Sequence, residues 1–254
     1  MNELMKKLLF TILFATSALA GDGAISLAPA AVMLRGDAGQ SATQTMLLKN
    51  GTSRTLTFDL VAQDVVVRDG VRTFVEAGAI ASSIAATAVF SQKRVVVRAG
   101  DSTPVTVTVT IPPNATNRAV VALFRGADKI QNGSMTSTAS VGTLMTFALS
   151  DKVAMTTDAL IVQPQSATSN LSVAQTCTNS GTEPLVAKAV LAVIGADGKL
   201  QGKAQLPPRR LLPGERAELG TEYAAELAPG RYRVLLSYDY EGRALTQSAE
   251  VEVQ

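Results

Sequence analysis

The chain has no histidine, no tryptophan and a single cysteine among its 254 residues. Without histidine there is no Ser-His-Asp triad, no Cys-His dyad and no His-ligated zinc or haem. Cys177 alone can neither close an intramolecular disulfide nor build a Cys-ligated zinc finger. Aromatic residues make up only 4%, and the formal net charge is +2. No strong field is therefore directed at nucleic acid, and no aromatic ladder accompanies the basic residues. G-x-S-x-G, the phosphate loop and the dinucleotide fingerprint are all missing, as is any strand–helix alternation that would hold them. The acidic pairs Asp64/Asp69, Asp151/Asp158 and Asp239/Glu241 are read as turn residues. None has the spacing of a calcium loop. The expectation is a non-enzymatic protein with no catalytic residue, no metal and no cofactor.

What is present is apolar. Hydrophobic residues are 46% and charged residues 17%. That is too much apolar side chain for disorder, and too frequently interrupted for a multi-span membrane protein. At the N-terminus Lys6 and Lys7 precede the apolar run Leu8–Ala15 and the small-residue end Ala18-Leu19-Ala20. A basic region, a short apolar core and an A-x-A site together read as a secretory signal peptide. Cleavage is expected after Ala20, leaving a periplasmic or secreted protein whose mature form does not span the membrane.

Beyond residue 20 short β-type runs follow one another with turn signals between them. Val105-Thr106-Val107-Thr108-Val109-Thr110-Ile111 alternates strictly, so one face should be buried and the other wet. Asp69-Gly70 and Glu241-Gly242 are hairpin signals, Lys49-Asn50-Gly51-Thr52-Ser53 reads as an Asn-Gly turn, and Pro112-Pro113 stops a strand. Residues 76–89 alternate poorly and read as a short helix or an irregular crossing. About seven strands in each half and no clear helix predict an all-β fold, two immunoglobulin-like β-sandwich domains in tandem. The signal peptide occupies residues 1–20, the first sandwich 21–155 and the second 156–254.

Four features invite closer reading. Leu171, Val173, Gln175 and Cys177 share one side of a strand, which predicts a buried thiol; the alternative is an intermolecular disulfide. Tyr232 follows Pro229-Gly230 at the start of a long strand, where a tyrosine corner or an ordinary cross-strand tyrosine would sit. Arg94 and Arg98 share a strand face, solvated or poised as an anion clamp. The strand at 143–149 places Met145, Phe147 and Leu149 on one face. If it is an edge, these three residues bind a partner strand; otherwise they pack into their own sandwich.

The first domain resembles the N-terminal domain of periplasmic pilus-assembly chaperones, the PapD-like superfamily. The resemblance rests on Ala24-Ile25-Ser26-Leu27 with Val32-Met33-Leu34, on Gly39-Gln40-Ser41, and on Asn50-Gly51-Thr52. It continues in Val89-Phe90-Ser91, Ala99-Gly100-Asp101 and Thr108–Pro113 before residues 118–124. The second domain is similar to bacterial immunoglobulin-like modules through Asn179-x-Gly181-x-Glu183-Pro184, Leu212-Pro213-Gly214-Glu215 and Pro229-Gly230-x-Tyr232. The resemblance implies a chaperone-like protein or accessory factor in pilus (fimbria) assembly. Its partner would be another polypeptide, a surface-fibre subunit or envelope component, held by strand-edge addition. The family anchors its subunit's carboxylate with a basic pair. Ala28-Pro29-Ala30-Ala31 offers no Arg and residues 143–150 no Lys, so no anchor is carried over. A structural or adhesive cell-envelope protein is the alternative from another class.

Overall fold

The computed structural model of the chain describes residues 24–128, 130–132, 135–166 and 168–254. The signal peptide expected at residues 1–20 lies outside the described residues. The chain divides into two compact units, Met1–Val66 with Phe74–Leu149, and Val67–Thr73 with Ser150–Gln254. Both are β-sandwiches of immunoglobulin-like type, and no described helix is long and apolar enough to cross a membrane.

The first sandwich opens with β1 (Ile25–Ala28), β2 (Ala31–Arg35), β3 (Ser41–Asn50), β4 (Leu56–Arg68) and β5 (Val71–Glu76). It continues with β6 (Val89–Phe90), β7 (Arg94–Val97), β8 (Ser102–Thr110) and β9 (Ala119–Gly126). It closes with β10 (Ile130–Asn132), β11 (Met135–Ser137) and β12 (Ser140–Ala148). One sheet runs β1-β3-β8-β6. The other runs β2-β12-β9-β4-β5, with β7 also paired to β4. The alternation of β8 is realised as expected. Val105, Val107 and Val109 face inward at 1% exposure. On the outer face, hydroxyl pairs Ser41–Thr110, Thr43–Thr108 and Thr45–Thr106 link β3 to β8 at 2.7, 2.8 and 3.2 Å.

Residues 76–89 form a crossing with one 3-10 turn at Ala85–Thr87. Its organiser is Asp64, which is not a turn residue as the sequence suggested. It sits inside β4, fully buried, and accepts hydrogen bonds from the Ile84 and Ala85 amides at 3.0 and 3.1 Å. Ser83 Oγ and Asn117 Nδ2 donate to the same carboxylate. A buried carboxylate is tolerated here because several donors converge on it.

The second sandwich comprises β13 (Met155–Thr157), β14 (Ile161–Gln163), β15 (Leu171–Asn179) and β16 (Leu185–Gly195). They are followed by β17 (Leu200–Leu211), β18 (Arg216–Tyr223), β19 (Gly230–Tyr240) and β20 (Arg243–Val253). β15 pairs with β13, β14 and β18 in one sheet, and the other runs β17-β16-β19-β20. Cys177 is fully buried in β15, and burial pushes its thiol above the ordinary range. The tyrosine corner is present: Tyr232 Oη donates to the Ala228 carbonyl at 2.7 Å.

One device recurs in both units. Asn50 ends β3 and is fully buried; it is not an exposed turn residue, because β3 and β4 belong to different sheets. Its Nδ2 donates to the carbonyls of Val97 on β7 and of Arg54 and Arg98, at 3.0, 2.7 and 3.2 Å. Asn179 ends β15 and donates to the carbonyls of Glu183 and of Leu211 on β17, at 2.9 and 3.0 Å. Each asparagine therefore ties the two sheets of its own sandwich together. The backbones match as well. Asn50 bonds to Asp101 and Gly100 as Asn179 bonds to Glu215 and Gly214, amide to carbonyl in each direction.

Candidate functional site

The opening strand of the first unit serves both sheets. β1 pairs antiparallel with β3, and after the cis Ala28-Pro29 bond β2 pairs parallel with β12 over Leu144–Ala148. Two threonines fasten it there. Thr143 Oγ1 donates to the Pro29 carbonyl at 2.7 Å and Thr146 Oγ1 to the Val32 carbonyl at 2.9 Å. Backbone bonds add to them, from the Leu144 amide to Ala30 and from the Gly36 amide to Ala148.

These contacts settle which way the groups of β12 point. The Phe147 amide bonds to Arg118, at the start of β9, and the Leu144 amide bonds to the β2 side. In an antiparallel ladder consecutive residues alternate in direction. Hence 141, 143, 145 and 147 direct their backbone groups to β9, and 140, 142, 144, 146 and 148 direct theirs to the β2 side. β2 covers the last three. Among the described residues no strand is hydrogen-bonded on that side of Ser140 and Gly142. The side chain of Val141, between them, is half-buried and packs on the core of this sandwich.

The strand at 143–149, read either as an edge that binds a partner or as a strand packed into its own sandwich, is therefore largely an interior strand. Met145 and Phe147 are 0% and 1% exposed and belong to the core, with no surface to offer a partner. Leu149 is partly buried and packs against the same core. The three residues do share a face, as the period of two implied, but that face is the inside of the sandwich. The unpaired part of the flank lies N-terminal to them, at 140–142. Sequence reasoning missed it because the strand that covers 144–148 comes from more than a hundred residues upstream.

Other sequence candidates are occupied. Arg94 forms a two-point pair with Asp59 on the neighbouring strand, Nε–Oδ1 2.6 Å and Nη2–Oδ2 3.1 Å. Its hydrogen bonds hold the Asp59 carboxyl below the usual range. The arrangement is a cross-strand ion pair in which Arg94 already has its anion. Arg209 approaches the buried Glu215 at 3.8 Å, and Arg72 binds that carboxylate at 2.8 Å. Burial and the neighbouring Arg72 lower the Arg210 guanidinium. A depression lined by Leu34, Ala42, Ile111 and Phe147 has room for little more than a water molecule. Among the described residues no group of three acidic or sulfur ligands is placed to hold a metal.

No family model matches the chain, and no curated protein does. Solved structures to which it is similar include the class 5 fimbriae chaperone CfaA, at 12% identity, covering 89% of this chain and 98% of that one, TM-score 0.44. Another is a chaperone–tip adhesion subunit complex, CsuC–CsuE of Acinetobacter baumannii, at 9% identity, covering 91% and 98%, TM-score 0.43. A third is the SafB chaperone with SafA pilin of Salmonella enterica, at 11% identity, covering 92% and 99%, TM-score 0.42. The tandem sandwich itself rests on the strand pairings above.

Proposed function

We propose that the chain is an exported, non-enzymatic polypeptide-binding protein, chaperone-like or accessory to the assembly of surface fibres. It takes a strand of its partner along the open flank of β12. The observation that carries this reading is the arrangement of β2 and β12. β12 already accepts a parallel strand over 144–148, and the outward backbone groups of Ser140 and Gly142 extend the same line with no strand hydrogen-bonded to them among the described residues. A partner segment placed there would continue the course of β2. Main-chain bonds would supply affinity, and the surface around Val141 would select side chains. The partner class, a surface-fibre subunit or envelope component, follows from the sequence resemblance, and the periplasmic or secreted setting from the signal peptide expected at residues 1–20.

The test is Ser140→Pro. Proline at 140 removes an amide that points away from β9, so the ladder of the sandwich keeps its donors. The expected result is an almost unchanged melting temperature with loss of a partner that the wild-type protein captures from the periplasm. Capture undiminished by the proline would overturn the site. Recovery of the wild-type protein in envelope or fibre pellets, not in the soluble periplasm, would favour a structural component instead.

A further inference from the structure

The second sandwich has two edge strands in its larger sheet, β17 and β20, and they are protected very differently. β17 carries Pro207 and Pro208, its register against β16 shifts twice, and Lys203, Arg209 and Arg210 line it. Prolines, bulges and cations are the usual means by which an edge avoids pairing with another chain. β20 has no proline and no bulge, and its one cation, Arg243, stands at its first residue. It is eleven residues long and pairs with β19 in an unbroken register from Tyr240↔Arg243 to Gly230↔Val253; it contains neither proline nor glycine nor lysine. Among the described residues no strand pairs with its other side.

Hairpin geometry defines what that side presents. Glu241 and Gly242 form a two-residue turn with φ of 49° and 77°, the left-handed pair of a type I′ turn. Such a turn makes Tyr240 and Arg243 a hydrogen-bonded pair, and the pattern repeats every second residue. Arg243, Leu245, Gln247, Ala249, Val251 and Val253 thus direct their backbone groups to β19. Ala244, Thr246, Ser248, Glu250 and Glu252 direct theirs outward.

We infer that this edge pairs with the same edge of a second copy of the chain, antiparallel about a two-fold axis through Ser248. The register is set by the residues themselves. Centring on Ser248 places Ala244 opposite Glu252, Thr246 opposite Glu250, and Ser248 opposite its own copy. All five outward residues then exchange both backbone bonds, which makes ten, about the number in a specific protein interface. No like charges face each other. Centring on Glu250 would set two carboxylates directly opposite, which is unfavourable. On the inner face the same register brings Leu245 against the partner's Val251, two residues packed on the core of this sandwich. The outcome is one continuous eight-stranded sheet, β17-β16-β19-β20 from each copy, closed by its own symmetry.

The test uses the full mature chain in sedimentation equilibrium, with three variants. Wild type is expected at twice the monomer mass. Ser248→Lys is expected at the monomer mass with an unchanged melting temperature, because Ser248 is exposed and only the pairing sets two lysines face to face. Ser248→Cys is expected to cross-link to its copy on mild oxidation. Opposed residues of a hydrogen-bonded pair lie ~5.5 Å apart at Cα, within disulfide range. Thr246→Cys, opposite Glu250, is expected not to cross-link. The inference is overturned by a wild-type monomer at all accessible concentrations. A dimer that survives Ser248→Lys and cross-links no better at 248 than at 246 overturns it equally.

Discussion

The two sandwiches share a corner and differ in what fills them. Asn50 with Gly100-Asp101 and Asn179 with Gly214-Glu215 make the same backbone exchange, and each asparagine side chain ties two sheets. Around that corner the aromatics separate by type. Beyond residue 20 every phenylalanine lies in the first unit and every tyrosine in the second. Phe58, Phe124 and Phe147 fill the first core at 1% exposure or less, and phenylalanine needs no polar partner. Tyrosine does. Tyr238 Oη donates to Gln175 Oε1 at 2.9 Å, Tyr223 Oη to the Gln201 carbonyl at 3.2 Å, and Gln175 Nε2 to the Asp158 carbonyl at 2.7 Å. The acidic residue of the corner differs too. Asp101 is exposed, whereas Glu215 is buried, accepts from the Leu212 amide and binds Arg72. One frame thus tolerates aromatics that need no polar partner and aromatics that do, and in both units the buried polar groups named above find partners.

The comparison breaks most sharply at Phe147. Phe147→Asp replaces a fully buried aromatic ring of the first core with a carboxylate, so the first sandwich is expected not to fold. Circular dichroism should lose the β-signal of that unit. Tyrosine emission comes only from the second unit, so a surviving tyrosine transition separates the loss of one sandwich from the loss of both. A normal melt would mean that the strand is not interior after all.

Next come the two asparagines. Asn50→Ala strands three carbonyls and Asn179→Ala strands two. At about 1–3 kcal/mol for each buried group left unpaired, the expected losses are about 3 kcal/mol for Asn50 and about 2 for Asn179. Denaturant melts of the two variants should preserve that order. Equal losses would indicate that only one carbonyl at each corner matters.

The smallest effect belongs to the polar fittings of the second unit. Tyr232→Phe deletes the single bond to Ala228 at a half-buried site, and about 1 kcal/mol is expected in the unfolding midpoint. An unchanged midpoint would make the corner a packing feature only.

Much of this was legible from short-range pattern. The period of two in β8 and β15 placed Val105, Val107, Val109 and Cys177 inward, because side chains alternate about a strand whatever lies beside it. Asp69-Gly70 and Glu241-Gly242 announced their hairpins, since few residues accept a positive φ at both turn positions. The Pro-Gly-x-Tyr step located the tyrosine corner. The same local rules misplaced Asp64 and left the strand around Phe147 open between edge and core. Asp64 looks like a turn residue until Ser83, Ile84, Ala85 and Asn117 are brought to it from later in the chain. Asn50-Gly51 does turn the chain, but only the structure shows that the strands it joins lie in different sheets.

By itself the sequence determined the all-β class, the inward face of each alternating strand and the places where the chain turns. Those properties follow from side-chain period and from the φ values that glycine, aspartate and proline accept, all within a few residues. Which flank of a strand is covered was decided only by the tertiary structure. Among the described residues β12 is paired over 144–148 and unpaired on that side at 140–142, because its parallel ladder with β2 begins at Ala31 opposite Leu144. β20 is open along its whole outer side because it is the last strand of its sheet. Backbone hydrogen bonds between strands carry no side-chain signature, so the partner of an edge is set by topology and cannot be read from the residues on it.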